Sequence, residues 1–187
     1  MTIELRGNTK LEMKLVTNHE QLLHAYAVRA ICFMDEHGVS ARQVYDGNDY
    51  QATHAIAYEN DEPVGTIRVR WFREFAKLER TSFLPSHRNP WIIKACAHFI
   101  FDHCARKGFD TVITHALPRP ALLWQRLLDF KVSDKPRFNF VGHEGDYVEL
   151  VRPIEPPGNA IGLHTDIATL FRVEGEWDEQ SGFEANK

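Results

Sequence analysis

The sequence has few cysteines, no long apolar run and no excess of basic residues. Its three cysteines, Cys32, Cys96 and Cys104, show no CxxC spacing, which argues against a disulfide framework or a zinc knot. Each falls within a predicted helix, where cysteine commonly acts as a small buried hydrophobe. No apolar stretch is long enough to cross a bilayer and no basic-then-apolar leader opens the chain, so we expect a cytoplasmic protein without a membrane span.

The formal net charge of −4 is concentrated at one end of the chain. Residues 174–187 contain five acidic and one basic residue, which leaves residues 1–173 formally neutral. Nucleic-acid binding needs a basic footprint, so the composition argues against it. The acidic tail has two interpretations: it frays into solvent as termini often do, or Trp177 and Phe183 attach it to a neighbouring subunit, which would make the protein a homodimer.

Ten histidines raise the question of a metal site. His98 and His103 are five residues apart on a predicted helix and therefore do not share a face. The sequence contains no HExxH motif and no paired Cys/His ligand spacing. We predict no metal.

Hydrophobic periodicity alternates between strand and helix along the chain, which indicates one mixed α/β domain. A capping box of Thr17 and Glu20 predicts that the first helix begins there, with Leu22, Tyr26, Ala30 and Phe33 as its buried face. The segment 156–158, Pro-Pro-Gly, marks a change of character, so we divide the chain into a domain at 1–153 and a C-terminal extension at 154–187. Strands are predicted at 11–16, 53–59, 64–72, 75–83, 110–116, 137–141 and 147–153, and helices at 17–38, 89–107 and 120–130.

The most informative segment joins the strand at 75–83 to the helix at 89–107. Asn89 and Pro90 suit the N-cap and first position of that helix. A helix that starts straight after a strand points its free N–H groups and its positive dipole end at whatever lies there, usually an anion. Its buried stripe is predicted to be Ile93, Ala97, Ile100, Phe101 and Cys104.

This segment resembles the central motif of the GCN5-related N-acetyltransferase (GNAT) superfamily. The match includes residues 80–85, Arg88 and the run Ala-Arg-Lys-Gly-Phe at 105–109. The resemblance implies the GNAT acyl-CoA N-acyltransferase fold, an α/β fold with a central mixed, mostly antiparallel sheet that splays between strands 4 and 5 and has helices on both faces. Trp91 and Ile93 replace the two glycines that let the family's backbone approach coenzyme A, and bulky residues there obstruct that approach.

A second set of residues resembles the autoinducer-synthase-like and N-acyl amino acid synthase branch of that superfamily. The set is Arg29, Phe33, Gly38, Asp46, Asp49, Ala52, His54, Gly65 and Arg68, in that order. The resemblance implies transfer of a fatty acyl group from acyl carrier protein, whose phosphopantetheine has one phosphodiester and tolerates the missing glycines. The chain departs from the autoinducer synthases at Lys77, where those enzymes have an acidic residue, and places Gln125 where many acetyltransferases have a tyrosine.

The chemistry implied by the resemblance is direct attack of an amine on a thioester. Glu79 is our predicted base, and its alternative is an ion pair with Arg80 or Lys77. Backbone N–H groups near Ser82 are expected to polarise the thioester carbonyl. His115 is either a proton relay or a structural histidine.

The acceptor amine is predicted to bind at Asp46 and Asp49, with Arg29 and Arg68 organising them or binding a carboxylate. Alternatively, residues 45–50 form a polar loop without a ligand. Arg80 completes the predicted acceptor-binding set. The predicted donor-binding residues are Phe83, Arg88, Asn89, Trp91, Ile92, Ile93 and Lys94, of which Arg88 and Lys94 would bind a donor phosphate and an acidic carrier protein.

The leading hypothesis is an N-acyltransferase that moves an acyl group from a thioester donor, long-chain acyl carrier protein, to a small amine such as an amino acid. The alternatives are an acetyl-CoA-dependent N-acetyltransferase and a non-catalytic GNAT-like module that binds acyl groups or a partner.

Overall fold

The computed structural model describes residues 1–4, 10–139 and 145–184. The strands are β1 (Thr2–Glu4), β2 (Lys10–Leu15), β3 (Thr53–Glu59), β4 (Glu62–Trp71), β5 (Ala76–Phe83), β6 (Thr111–Ala116), β7 (Lys131–Val132) and β8 (Val148–Pro153). The α-helices are α1 (His19–Arg29), α2 (Ala41–Val44), α3 (Pro90–Arg106), α4 (Pro118–Leu128) and α5 (Ile167–Leu170). The strands form one sheet in the order β1-β2-β3-β4-β5-β6-β8-β7, and every described pair is antiparallel except β5 with β6.

Helices cover both faces of this sheet, as alternation along β3 shows. Ala55 and Ala57 belong to the main core, which includes the buried side of α3. Ile56 and Tyr58 point to the other face and pack with Ala25 of α1. Because successive strand residues face opposite sides, one short strand contributes to both layers. The expected mixed α/β GNAT fold is confirmed.

Helix α3 lies where the sequence predicts it. Asn89 is the N-cap and its side chain accepts a hydrogen bond from the Trp91 N–H, while Pro90 takes the first helical position. The predicted stripe is buried in full: Ile93, Ala97, Ile100, Phe101 and Cys104 are each at most 8% exposed. Burial of each large apolar side chain contributes about 1.5–3 kcal/mol, so this face anchors the helix to the sheet.

Helix α1 differs from the prediction at both ends. The predicted capping box at Thr17 and Glu20 is wrong, because Asn18 is the N-cap and its side chain accepts from the Gln21 N–H. The chain continues past Arg29 as a π-helix at Ala30–Asp35. The buried residues are Ala25, Val28, Arg29 and Cys32 rather than the predicted face. Arg29 is polar, so a hydrophobic pattern could not select the side that it occupies.

Strands β5 and β6 pair in parallel over a short stretch and then separate. The pairing runs from Ala76 with Val112 to Leu78 with Thr114. Beyond it, β5 continues beside β4 to Phe83 and β6 continues beside β8 to Ala116. The result is a V-shaped opening, the splay, whose two sides begin at Glu79 and His115.

A β-bulge marks the β5 side of the splay. Thr66 pairs with Ser82 and Arg68 pairs with Glu79, so Arg80 and Thr81 both lie opposite Ile67. Arg80 has a φ of 52°, a left-handed conformation that costs a non-glycine residue about 1–2 kcal/mol. Bulges of this kind redirect side chains and are common beside active sites.

Part of the C-terminal extension packs against α3. Glu174 Oε1 lies 3.0 Å from His103 Nε2 and 3.1 Å from Lys107 Nζ. Trp177 is 9% exposed and stacks on the His103 ring with 5.4 Å between centroids. Arg106 pairs with Asp178 at 2.9 Å. We call these six residues the C-terminal clasp. Trp177 is thus buried within its own chain, and the division at residues 153 and 154 stays a prediction.

Other expectations fall on shorter elements. The strand predicted at 137–141 is represented by one bridge between Phe138 and Tyr147, and residues 140 and 141 lie outside the described residues. All three cysteines are free and buried, as predicted, and burial raises the pKa of Cys96 to about 12. In the described ranges no helix is both long and apolar enough to span a bilayer, and no group of three or more His, Cys, Asp or Glu side chains could hold a metal ion.

Candidate functional site

A network of ion pairs lies on the sheet face opposite α3, beside the splay. Its members are Arg29, Asp46, Asp49, Arg68, Arg70, Lys77, Glu79 and Arg80, which we call the arginine network. The alternation of β4 and β5 explains the placement: Ile67, Val69, Ala76 and Leu78 face the core under α3, so the charged residues between them face the other way.

The deepest part of the network joins the loop after α2 to the sheet. Arg29 lies 2.6 Å from Asp49 Oδ1, and Arg68 lies 2.8 Å from the same oxygen. The side chains of Arg29, Asp49 and Arg68 are at most 5% exposed. Burial raises the pKa of Asp49, but the hydrogen bonds from both arginines outweigh it, and the net pKa is lowered. The structure therefore brings these predicted residues together as a closed, charged core, and an ammonium group would have to displace an arginine to reach Asp49.

The outer part of the network reaches the splay through Asp46 and Arg80. Asp46 accepts two hydrogen bonds from Arg68, at 2.8 and 2.9 Å, and one from Arg80 at 2.9 Å. Arg80 Nη2 also donates to the Gln43 carbonyl at 2.6 Å. The Asp46 and Arg80 side chains are 26% and 28% exposed, so this pair borders solvent. The loop at 45–50 is thus anchored to the bulge.

Glu79 lies on the β5 side of the splay, where we predicted the catalytic base. Lys77 Nζ is 2.7 Å from its carboxylate and Arg68 also donates to it. Burial raises the pKa of Glu79, but hydrogen bonds from Lys77 and Arg68 outweigh it, so the net pKa is lowered. A carboxylate with a lowered pKa is a weak proton acceptor, and Glu79 makes the alternative ion pair with Lys77 rather than with Arg80.

His115 stands across the splay on β6, one residue beyond the last parallel pair. Its Nε2 lies 3.4 Å from Glu149 of β8, and Glu149 in turn pairs with Lys135 at 2.9 Å. Burial and the positive charge of Lys77 lower the pKa of His115. Its Nδ1 is buried and has no hydrogen-bond partner among the described residues. A neutral imidazole can accept a proton, but this nitrogen is enclosed by protein atoms and the other, Nε2, faces Glu149.

The turn before α3 is occupied by a carboxylate of the same chain. Arg88 donates from Nη1 to Glu36 at 2.5 Å, from Nη2 to the second Glu36 oxygen, and from Nε to the Phe83 carbonyl at 2.9 Å. Glu36 follows the π-helix, so residues far apart in sequence meet here. A phosphate that binds Arg88 must compete with Glu36 for the guanidinium.

The residues at the start of α3 divide into core and surface. Ile92 and Ile93 are 6% and 8% exposed and belong to the core, so only their backbone can face a donor. Trp91 is 55% exposed and Lys94 is exposed. The predicted obstruction at the second glycine position is therefore wrong for the Ile93 side chain, which points inward; it concerns Trp91 alone.

Phe83 and Ser82 end β5 as buried residues. The Phe83 ring lies against Gly65 so closely that a Cβ at Gly65 would be 2.4 Å from two ring atoms. A glycine is required there for the close approach. The Ser82 hydroxyl donates to the Arg80 carbonyl at 3.0 Å, a hydrogen bond within the bulge. The candidate donors to a substrate carbonyl are therefore backbone N–H groups of this region.

Four charged residues of this region were not among the predicted site residues: Glu36, Arg70, Lys77 and Glu149. Lys77 was noted as a departure from a motif and as an alternative ion-pair partner of Glu79. Period-two alternation could have placed Arg70 with Arg68 and Lys77 with Glu79. Nothing local to the sequence pairs Glu36 with Arg88 or Glu149 with His115, because these pairs span 52 and 34 residues.

Two cavities of about 470 and 540 Å³ lie away from the splay, around the C-terminal half of α3 and the extension. Both are lined by Arg106, Asn159 and Asp178. Their volume alone does not make them the reaction site, since they contain none of the residues at the splay.

Known proteins resemble this chain in sequence over part of its length and in fold over most of it. No family model matches the chain. The uncharacterized N-acetyltransferase YjcF of Bacillus subtilis (strain 168) is 36% identical over 75 residues, which are 40% of this chain and 54% of YjcF. The match thus spans about half the length of that relative.

Two solved structures share the fold. Escherichia coli ElaA superimposes with a TM-score of 0.65 at 17% identity, over 76% of this chain and 99% of ElaA. A Bacillus subtilis acetyltransferase solved in complex with CoA gives a TM-score of 0.59 at 13% identity, over 77% and 99% of the two chains. At under 25% identity these structures show the fold alone. The comparisons give no support to the autoinducer-synthase branch or to an acyl carrier protein donor.

Proposed function

We propose that the chain is a member of the GNAT superfamily, as its fold and its sequence similarity support, and that it transfers the acetyl group of acetyl-CoA to the amine of a small molecule. The observation that carries the proposal is the splay between β5 and β6, with a bulge at Arg80 on one side and His115 on the other. A thioester placed in the splay has backbone donors on β5 and a proton acceptor on β6.

The reaction needs three contributions from the protein. Backbone N–H groups of residues 80–82 donate to the thioester carbonyl oxygen as negative charge develops on it. The amine nitrogen attacks the carbonyl carbon, and the C–S bond then breaks so that the coenzyme A thiolate leaves. The proton lost by the amine passes to His115, whose imidazole is neutral because burial lowers its pKa. Glu79 is the weaker candidate because it is ion-paired.

The donor end of the site is less open than the donor site that the GNAT resemblance implies. Trp91 remains exposed at the first glycine position, and the Trp91 N–H is already bonded to the Asn89 side chain at 2.8 Å. A phosphate of coenzyme A would use the remaining first-turn N–H groups and Arg88 after displacement of Glu36. Lys94, exposed on the same turn, adds a second positive charge.

The test is acetyl transfer from acetyl-CoA to a mixture of amino acids, polyamines and other primary amines. Free thiol release and the mass of one added acetyl group on a product would support the proposal. Transfer from long-chain acyl carrier protein with none from acetyl-CoA would replace the donor with the alternative. Absence of transfer from both donors would favour a binding module. Arg73→Met, at an exposed position outside the site, is the control for general damage.

A further inference from the structure

The arginine network contains more positive than negative charge. Its ion pairs join five cations, Arg29, Arg68, Arg70, Lys77 and Arg80, to three carboxylates, Asp46, Asp49 and Glu79. His54 touches Asp49, but burial lowers its pKa, so it adds no positive charge at neutral pH. The network therefore has two positive charges in excess. Removal of charge from water is costly unless a counter-charge accompanies it.

The excess charge is not shared evenly across the network. The two deepest cations, Arg29 and Arg68, are at most 2% exposed. Arg29 pairs with Asp49, and Arg68 pairs with Asp46, Asp49 and Glu79. Arg70 and Lys77 are 30% and 24% exposed. Both rely on Glu79, which lies 2.7 Å from Lys77 and 3.7 Å from Arg70 and also accepts from Arg68. One carboxylate thus serves three cations.

Arg70 and Lys77 also face each other directly across β4 and β5. Like charges opposite one another in an antiparallel pair are destabilising. Glu79 offsets this repulsion only in part because Arg68 shares its carboxylate. An arginine beside a lysine offers both a planar fork and a point charge to a second carboxylate. The pair lies on the face away from α3, whereas the donor turn with Arg88 lies at the start of that helix, so the donor phosphates have a separate cation.

The position of this pair relative to the splay gives it a role in the reaction. In the strand register Lys77 is paired with Ile113, and His115 follows two residues later on the same face. An anion at Arg70 and Lys77 would therefore lie within reach of a small molecule whose amine is at His115.

We propose that Arg70 and Lys77 bind a carboxylate of the acceptor, so that the acceptor is an amine that also carries a carboxylate, such as an α-amino acid. This inference rests on the proposed function for the identity of the ligand as an acceptor. It differs from the sequence-based prediction, which assigned a carboxylate to Arg29 and Arg68; those two side chains are enclosed and already paired. Selectivity comes from the excess charge, which an uncharged amide does not balance.

The test compares a panel of α-amino acids with their matched amides in two measurements. One is acetyl transfer, and the other is ligand binding measured by saturation-transfer NMR. For the wild type we expect at least about tenfold higher kcat/KM for the acids, because the amides cannot make the charge-assisted contacts to Arg70 and Lys77. Lys77→Met and Arg70→Met should raise KM for the acids, leave KM for acetyl-CoA unchanged and remove the difference between acids and amides. Arg73→Met should keep it.

The two readouts separate the two proposals. If the wild type binds the acids, Lys77→Met does not bind them, and none of them is acetylated, the carboxylate site is supported and the proposed function is refuted. Acids and amides that bind alike, or that both fail to bind, would overturn the carboxylate site. Equal turnover of acids and amides would overturn it as well, while leaving the acetyltransferase proposal in place.

Discussion

The arginine network and the C-terminal clasp are both built from charged side chains that attach a distant segment to the core. They differ in the ratio of cations to carboxylates. In the clasp, Arg106 and Lys107 meet Glu174 and Asp178, so lysine and arginine charges are matched by carboxylates. In the network, cations outnumber carboxylates by two. The clasp has an aromatic cover, Trp177 stacked on His103, whereas the network borders the splay.

The ion pairs of the clasp therefore stabilise the structure, whereas those of the arginine network can also bind a ligand. A balanced cluster gains nothing from a further anion. An unbalanced cluster beside an opening gains a counter-charge when an anion binds. The comparison predicts that damage to the clasp affects stability alone and that damage at the rim of the network affects the reaction.

The largest expected effect is on stability, from Arg68→Met. This change removes the guanidinium that Asp46, Asp49 and Glu79 share, and removing one partner of a buried ion pair typically costs about 3–5 kcal/mol. Urea unfolding measures the loss. Lys14→Met is the matched control because Lys14 pairs with Glu12 at the surface, and exposed pairs contribute about 1 kcal/mol at most. Equal losses in both variants would contradict a buried network.

The next effect is on rate, from His115→Gln. Loss of a general base typically lowers kcat about 100-fold or more. Because burial lowers the pKa of His115, the wild-type rate should rise with pH through a midpoint below the ordinary histidine value and stay level above it. Glu79→Gln removes a negative charge that raises the His115 pKa, so its profile should keep its shape with a lower midpoint. A profile that persists in His115→Gln and disappears in Glu79→Gln would assign the base to Glu79.

Trp177→Ala should affect the clasp without affecting the site. The side chain is 9% exposed but lies outside the main core. Its replacement by alanine should therefore cost about 1–3 kcal/mol, less than the roughly 3–5 kcal/mol typical of a core tryptophan. Thermal unfolding with kcat/KM measured in parallel tests this. Phe183→Ala, at an 84% exposed position, should change stability by about 0.5 kcal/mol or less. Lost activity in folded Trp177→Ala would mean that the clasp and the splay are coupled.

Glu36→Gln should produce a small gain at the donor end. The change weakens the pair with Arg88, which is then free for a phosphate. Since exposed ion pairs are weak and screened by solvent, KM for acetyl-CoA should fall only about two- to fivefold with kcat unchanged. Glu62→Gln, at an exposed position of β4, is the control. An increase in KM would show that Glu36 positions Arg88 instead of competing for it.

The smallest effect is the acid sensitivity of the clasp. The hydrogen bond from His103, with the charge of Lys107, lowers the pKa of Glu174 to about 2 from an ordinary value of 4.5. A lowered folded-state pKa stabilises the folded form above the ordinary value, and the contribution is lost as pH falls toward 2. Unfolding free energy in Glu174→Gln should therefore depend less on pH between about 4.5 and 2 than in the wild type. Identical slopes would show that Glu174 takes no part.

The fold was predictable from sequence because most of its signals are local. The stripe of α3, the cap at Asn89 and the strand at Ala76–Phe83 all follow from spacing within a few residues. The first helix shows where such signals fail. The buried Arg29 interrupts its apolar pattern, and Asn18 is the N-cap instead of Thr17. The site was predictable in part, since Arg29, Asp46, Asp49, Arg68, Glu79 and Arg80 do meet, although as one closed network.

The sequence by itself determined the order of strands and helices, the turn before α3 and the set of charged residues available to a site. The tertiary structure decided which charges are balanced. Glu36 occupies Arg88 and Glu149 supports His115 because the π-helix and the sheet bring together residues that are far apart in the chain. Glu79 is shared by three cations because β4 pairs with β5 in this register. Coulomb interactions depend on distance in space and on burial, and neither quantity can be read from sequence spacing.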